Sequence, residues 1–174
     1  MFAVSVNLSQ AQAAISHIPG AAEKAMKIAT RKALRRAKKD AISKAGARYT
    51  SPVSIFSQSL STKIQGAGGS LISRGAKNAL EKFQTAPQGR ITSRGVYIKA
   101  TVVRGQGGEL KTAFRKGGSI SIYQRVGQSR FPIKKLSSVA APSMLAVEQV
   151  REPVMQGIEQ TLQQEFIPAV NSVL

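Results

Sequence analysis

Side chains able to break or make covalent bonds are scarce in this chain of 174 residues: it has one histidine, His17, no cysteine, no tryptophan and eight carboxylates. Without cysteine there are no disulfides, Cys-zinc sites or thiol catalysis. A nucleophile–base–acid set needs a histidine or its equivalent oriented by a third group. His17, beside Ile18 and Pro19 in a small-residue segment, reads as a surface or partly packed residue. Paired-carboxylate chemistry needs two acids close in space, and four of the eight fall between Glu148 and Glu165, on one helix surface. No His/Asp/Glu cluster has metal-ligand spacing. Gly66-Ala67-Gly68-Gly69-Ser70 superficially resembles a phosphate loop. It lacks the Lys-Ser/Thr and the helix that should follow, so it reads as a flexible turn between strands. These absences point to a non-enzyme with no cofactor and no metal.

The abundant chemistry is cationic. Lys and Arg number 26, for a formal charge of +18 and a pI of 11.1. The balance implies a polyanion or an acidic protein surface as neighbour. Residues 1–135 carry 25 basic and 4 acidic side chains, a net of +21, whereas residues 136–174 carry Arg151 against four Glu, a net of −3. Such an asymmetry suits a basic body with a neutralising tail, or complementary ends that meet between subunits. The densest run is Arg31, Lys32, Arg35, Arg36, Lys38 and Lys39. One reading is phosphate tracking with counterion release; the other is a solvated face, or one that pairs with an acidic neighbour. Aromatics are 5% and are not interleaved with the basic residues, which disfavours single-strand stacking platforms. Backbone electrostatics without base readout is the most this pattern supports.

The elements that position these groups follow from periodicity. Phe2 to Val6 reads as a strand, Ser9 caps a short helix through Ile15, and Pro19 opens a long helix from Ala21 to about Ala45, stopped by Gly46. Its Ala22, Ala25, Met26, Ala29, Ala33 and Ala37 share one face, with the cations opposite. Thr50-Ser51-Pro52 caps a helix to about Leu60 that buries Val53, Phe56 and Leu60. Strands follow at Thr62–Gln65 and Leu71–Ser73, then an alternating strand from Val96 to Val103 with a hairpin tip at 105–108. Thr112-Ala113-Phe114 turns at Gly117-Gly118 to pair with Ser119–Val126. Phe131-Pro132-Ile133 begins a third strand, with Pro132 at its start or on an edge. A helix from about Arg151 to Asn171 presents Val154, Ile158, Leu162, Phe166 and Ala169, with Pro153 in its first turn and Pro168 kinking or fraying its end. The first 22 residues are uncharged, but polar residues interrupt every apolar run and no basic segment precedes them, so a soluble chain without export signal or membrane span is expected. The expectation is one α+β domain over 1–174. It is mainly helical and basic to residue 60, a β-rich meander over 61–136 and helical from 137, with an antiparallel sheet packed against the long basic N-terminal helix and the C-terminal helix.

The order of features from about Leu71 to Leu145 resembles the minor tail protein Z family of tailed phages, tail-completion or neck proteins at the head–tail joint. The features are Leu71-Ile72-Ser73-Arg74-Gly75, Leu80-Glu81-Lys82-Phe83-Gln84, Pro87, the basic strand Val96–Arg104 and Thr112-Ala113-Phe114. Gly117-Gly118 and Ile122-Tyr123-Gln124-Arg125 come next, then Gly127, Arg130-Phe131-Pro132-Ile133-Lys134-Lys135-Leu136, Pro142 and Met144. The family usually has Gly-Ala-Phe at 112–114 and a Tyr-Gly-Pro-Ser turn where Ser137-Ser138-Val139-Ala140 stands. The resemblance implies a structural virion protein that assembles in the host cytoplasm into a homo-oligomeric ring, six-fold in the family. That ring caps the tail and joins it to the head beside head-completion and tail-terminator or tail-tube proteins, with double-stranded DNA passing through the channel. It also implies fold or interface roles for Phe114, Tyr123, Gln124, Arg125, Arg130, Phe131, Pro132, Ile133 and Pro142. Read from the residues themselves, Ile122, Phe131 and Ile133 are core positions. Arg125 and Arg130 either brace the meander through carbonyls or face a neighbouring subunit. The alternative to the virion reading is a basic DNA- or RNA-binding architectural protein.

Overall fold

The long helix α1 runs from Ala21 to Arg48 and organises everything packed around it. A computed structural model describes residues 2–5, 20–88, 96–116 and 119–172. The expected helix from Ser9 to Ile15, His17, Pro19 and the Gly117-Gly118 turn lie outside the described residues. Ala25, Ala29, Ala33, Ala37, Ala41 and Ala45 are all buried. Four-residue steps each overshoot a full turn by 40°, so this row winds about 200° around the helix between Ala25 and Ala45. One row of methyl groups therefore serves two sides. On one side lies α4 (Glu148–Asn171), antiparallel to α1, with Gly157 against Asp40 and Glu165 against Lys32. On the other, Thr30 and Leu34 meet a hairpin of β2 (Leu60–Gln65) and β3 (Gly68–Ser73).

Alanine offers little area, so the partners supply the bulk. Val150, Val154, Ile158 and Leu162 repeat every four residues along α4 and are buried. Leu71 of β3, Phe56 of the short helix α2 (Ser54–Ser59) and Met144 and Leu145 of α3 (Ala141–Leu145) fill the remaining space. β1 (Phe2–Ser5) completes a sheet of order β1-β3-β2.

Among the described residues the β-structure divides into four small antiparallel sheets. β4 (Lys77–Ala79) pairs with β11 (Ser137–Ala140). β5 (Gln84–Ala86), β6 (Ile98–Val103) and β7 (Gln106–Leu110) form the order β5-β6-β7, and β8 (Ala113–Arg115), β9 (Ile122–Arg125) and β10 (Ile133–Lys135) the meander β10-β9-β8. The class is α+β, as expected, but the arrangement corrects the expectation of one sheet beneath two helices. α4 packs chiefly on α1 and, at its start, on α3.

Several boundaries also move. Gly46 does not stop α1: a Cβ there would sit an ordinary 3.5 Å from Val53, and the helix continues to Arg48. The end is set from outside, where the β6–β7 turn supplies donors to carbonyls that the helix leaves open. The Arg104 amide bonds the Arg48 carbonyl at 2.8 Å, and its guanidinium reaches the Gly46 carbonyl. Thr50 caps nothing; its hydroxyl donates to the Thr101 carbonyl of β6 and accepts from the Gln84 amide of β5. In α2 the buried residues are Ile55 and Phe56, while Val53 is 54% exposed. α4 starts at Glu148, which puts Pro153 in its second turn, and continues through Pro168 to Asn171. The glycines read as loop are largely strand. Gly68 and Gly69 belong to β3, Gly107 and Gly108 to β7, leaving tight turns at Gly66-Ala67 and Arg104-Gly105.

Gly69 marks the closest approach of hairpin to helix. A Cβ there would stand 2.6 Å from Leu34 Cδ1, 3.0 Å from the Lys63 carbonyl and 3.1 Å from Thr30 Cγ2. Leu34 is itself buried and has nowhere to move. Gly69→Ala is expected to destabilise the fold by about 1–3 kcal/mol. Urea titration should show this as a lower midpoint, and an unchanged midpoint would refute the close-packing account.

Candidate interaction surfaces

Two basic surfaces emerge. The first is the outer face of α1. Arg31, Lys32, Arg35, Arg36 and Lys39 are exposed and Lys38 is half-buried. Two of the six are committed internally: Lys32 Nζ contacts Glu165 Oε2 at 2.6 Å across to α4, and Arg36 lies 3.8 Å from Asp40 one turn along. Among the described residues Arg31, Arg35, Lys38 and Lys39 make no ion pair, nor do Lys24 and Lys27. Lys24, Lys27, Arg31, Arg35 and Lys38 recur every three or four residues, a stripe about 21 Å long. No large hydrophobic side chain is exposed on this helix.

The second surface is the β8–β9–β10 sheet, which gathers eight of the nine motif residues. Register places Phe114 opposite Tyr123 and Arg125 opposite Ile133, so these four share a face. Phe114 and Tyr123 rings are 6.3 Å apart, the Arg125 guanidinium lies 5.8 Å over Phe114, and that of Arg130 lies 5.8 Å over Phe131. Such cation–π contacts hold a guanidinium at the surface without consuming its hydrogen-bonding edge. Gln124 Nε2 donates to Thr112 Oγ1 at 2.6 Å, and the Val126 amide donates to the Pro132 carbonyl at 3.0 Å, closing the loop into the edge strand β10. Pro132 thus precedes an edge strand, as its position suggested. Pro142 stands apart, buried in α3 beside Gly75. Three hollows of about 560, 450 and 380 Å³ open on this sheet, and Phe114 and Arg125 line all three.

Two expectations fail here. Phe131 is not a core residue: it is 65% exposed, because it precedes the strand and the loop carries it outward. Ile133 is half-buried, and Ile122 alone of the three is fully buried. The bracing arginine is neither Arg125 nor Arg130. It is Arg115, 5% exposed and opposite Ile122 on the inward face, donating to the Ile120 carbonyl and to Thr85 Oγ1 at 2.8 Å. A guanidinium in a run of basic residues reads as solvated. Only its register against a core isoleucine reveals that it points inward.

A carboxylate anchors the other edge. Glu81 sits in the 3-10 turn Leu80–Lys82, where its Oε1 lies 2.5 Å from Lys135 Nζ of β10 and accepts from Ser121 Oγ at 3.1 Å. Burial acts to raise this carboxyl, but Lys135, its own backbone amide and Ser121 outweigh it and hold it below the ordinary 4.5. No group of three or more metal-ligating side chains occurs among the described residues, and no helix among them is long and apolar enough to cross a membrane. No protein-family model, curated protein or solved structure was found to match the chain.

A carboxyl depressed on folding stabilises the protein above its unfolded pKa, and that contribution disappears as pH falls through the folded value. Glu81→Gln is therefore expected to lose about 1 kcal/mol at neutral pH, a figure kept small because Lys135 is half-exposed. The gap to the wild type should close once the pH drops well below the ordinary carboxylate range. Urea midpoints across an acid series would check it, and a gap independent of pH would contradict it.

Proposed function

We propose that the chain is a structural subunit of a tailed-phage virion, a tail-completion or neck component that forms a ring, caps the tail and helps join it to the head. The observation that carries this reading is the order of motif residues from Leu71 to Met144, eight of which meet on one small sheet around exposed arginines and aromatic rings rather than around a reactive group. Ring closure lets each subunit contact be weak, because the contacts sum around the circle. Neighbouring head-completion and tail-terminator or tail-tube proteins are the partners in this reading, and the stripe on α1 faces DNA in the channel or an acidic ring. The chain works in the virion by holding parts together and turns over no substrate.

One observation favours the second reading, a basic DNA- or RNA-binding architectural protein: the unpaired cationic stripe of α1. The two readings separate in solution. Nuclease-treated protein should scatter light as a salt-resistant species of about 111 kDa, six copies of the chain. Refractive index should report concentration, since three Tyr and no Trp absorb weakly. A monomer that holds nucleic acid until salt strips it would give the second reading. Reversing Arg31, Arg35, Lys38 and Lys39 to Glu is expected to leave the ring mass intact and abolish retention of duplex DNA. The wild-type salt slope should be about −0.9 per phosphate contacted. Unchanged DNA retention would take DNA off this helix.

A further inference from the structure

Resting on the ring reading, we infer which two surfaces join neighbouring subunits: the β8–β9–β10 face of one copy receives the outer face of α4 from the next. The acceptor face combines cations with apolar anchors. Arg125, Arg130 and Lys116 line the 450 Å³ hollow together with Phe131. Phe131, 65% exposed, is its open apolar anchor, with Phe114 and Ile133 lining the hollow beside it. None of these cations has an ion pair among the described residues. An exposed aromatic ring in a hollow bordered by arginines has the composition of an interface core rather than of a solvated surface.

The complementary feature is on the same chain. Glu148, Glu152, Met155 and Glu159 fall within about 60° of one another on α4, a stripe about 16 Å long turned away from α1. The three carboxylates make no ion pair among the described residues, and Met155 stands exposed between them. Dimensions agree as well as charge. Three strands span about 10 Å, the width of one helix, and the length of chain from Ile120 to Val126 is about 20 Å, close to that of the stripe.

The outer face of α1 is the competing acceptor for these carboxylates, and it exposes no large hydrophobic side chain against which Met155 could pack. Charge alone between exposed groups is screened at physiological salt, so a contact that survives salt needs the apolar part. Because donor and acceptor are different surfaces of one chain, the contact is heterologous, and repetition closes a ring or extends a filament.

The test is a charge swap. Arg125→Glu with Arg130→Glu, and separately Glu152→Arg with Glu159→Arg, should each raise the concentration for half-assembly by at least about tenfold. The four changes together in one chain should bring it back to within about threefold of the wild type. All these side chains are exposed, and circular dichroism melts confirm that each variant folds. Restoration by the full swap supports the pairing. A wild-type ring that neither reversal weakens overturns this interface and leaves the ring reading standing. Two reversals that each break the ring without rescue in combination also overturn it, since the surfaces then meet other partners. A wild type that stays monomeric at every concentration removes the ring and this interface together.

Discussion

The molecule depends on a helix whose inner surface is, for most of its length, a single methyl deep, with Met26 and Leu34 as its bulky exceptions. Six alanines at strict four-residue intervals leave α1 with little side-chain bulk to hold its neighbours off. Another helix and a hairpin come close on different sides, and apolar burial around α1 comes mostly from them: Val150, Val154, Ile158 and Leu162 on α4, Leu71 on β3 and Phe56 on α2. Close approach is also why Gly69 has no room for a side chain. A helix made this way frees its other half entirely for charge, and the cations on it follow from that freedom rather than from any need of the core.

Helices were more legible in the sequence than sheets. α1 and α4 show in the 3.6-residue period because each buries one continuous stripe. The pairing of Ala113–Arg115 with Ile122–Arg125 was read from the glycines between them, and the edge position of β10 from Pro132 before it. What alternation could not show was the division into four sheets, since that depends on which strands far apart in sequence meet, such as β1 with β3 and β4 with β11. Glycine misled in both directions. Gly46 looked like a helix stop yet is tolerated because the end of α1 is closed by Arg104 from another sheet, while Gly69 of β3 and Gly107 of β7 looked like loop because their reason is a close neighbour. Contacts of that kind leave no trace in the local pattern.

The three arginines of the meander divide into two roles that the sequence does not distinguish. Arg115 is withdrawn from water and spends its donors on Thr85 and the Ile120 carbonyl, tying β8 to β5 and to the approach to β9. Arg125 and Arg130 lie on aromatic rings and keep their edges outward. Face and register decide between these fates, and both are properties of the paired strands. The basic face of α1 was readable because a helix shows its faces within one segment. The arginine–aromatic face had to wait for three strands and their loops to be placed side by side.

The packing of α4 has a further consequence. Most of what this helix buries lies against one partner, α1, and it joins the rest of the chain through the short link Ala146–Val147 that follows α3. An element that owes its burial to one neighbour can find the same neighbour in a second molecule at little cost in contacts. Of the described elements α4 is thus the one whose burial a second copy of α1 could supply. Ala146–Val147 is the hinge on which such an exchange would turn.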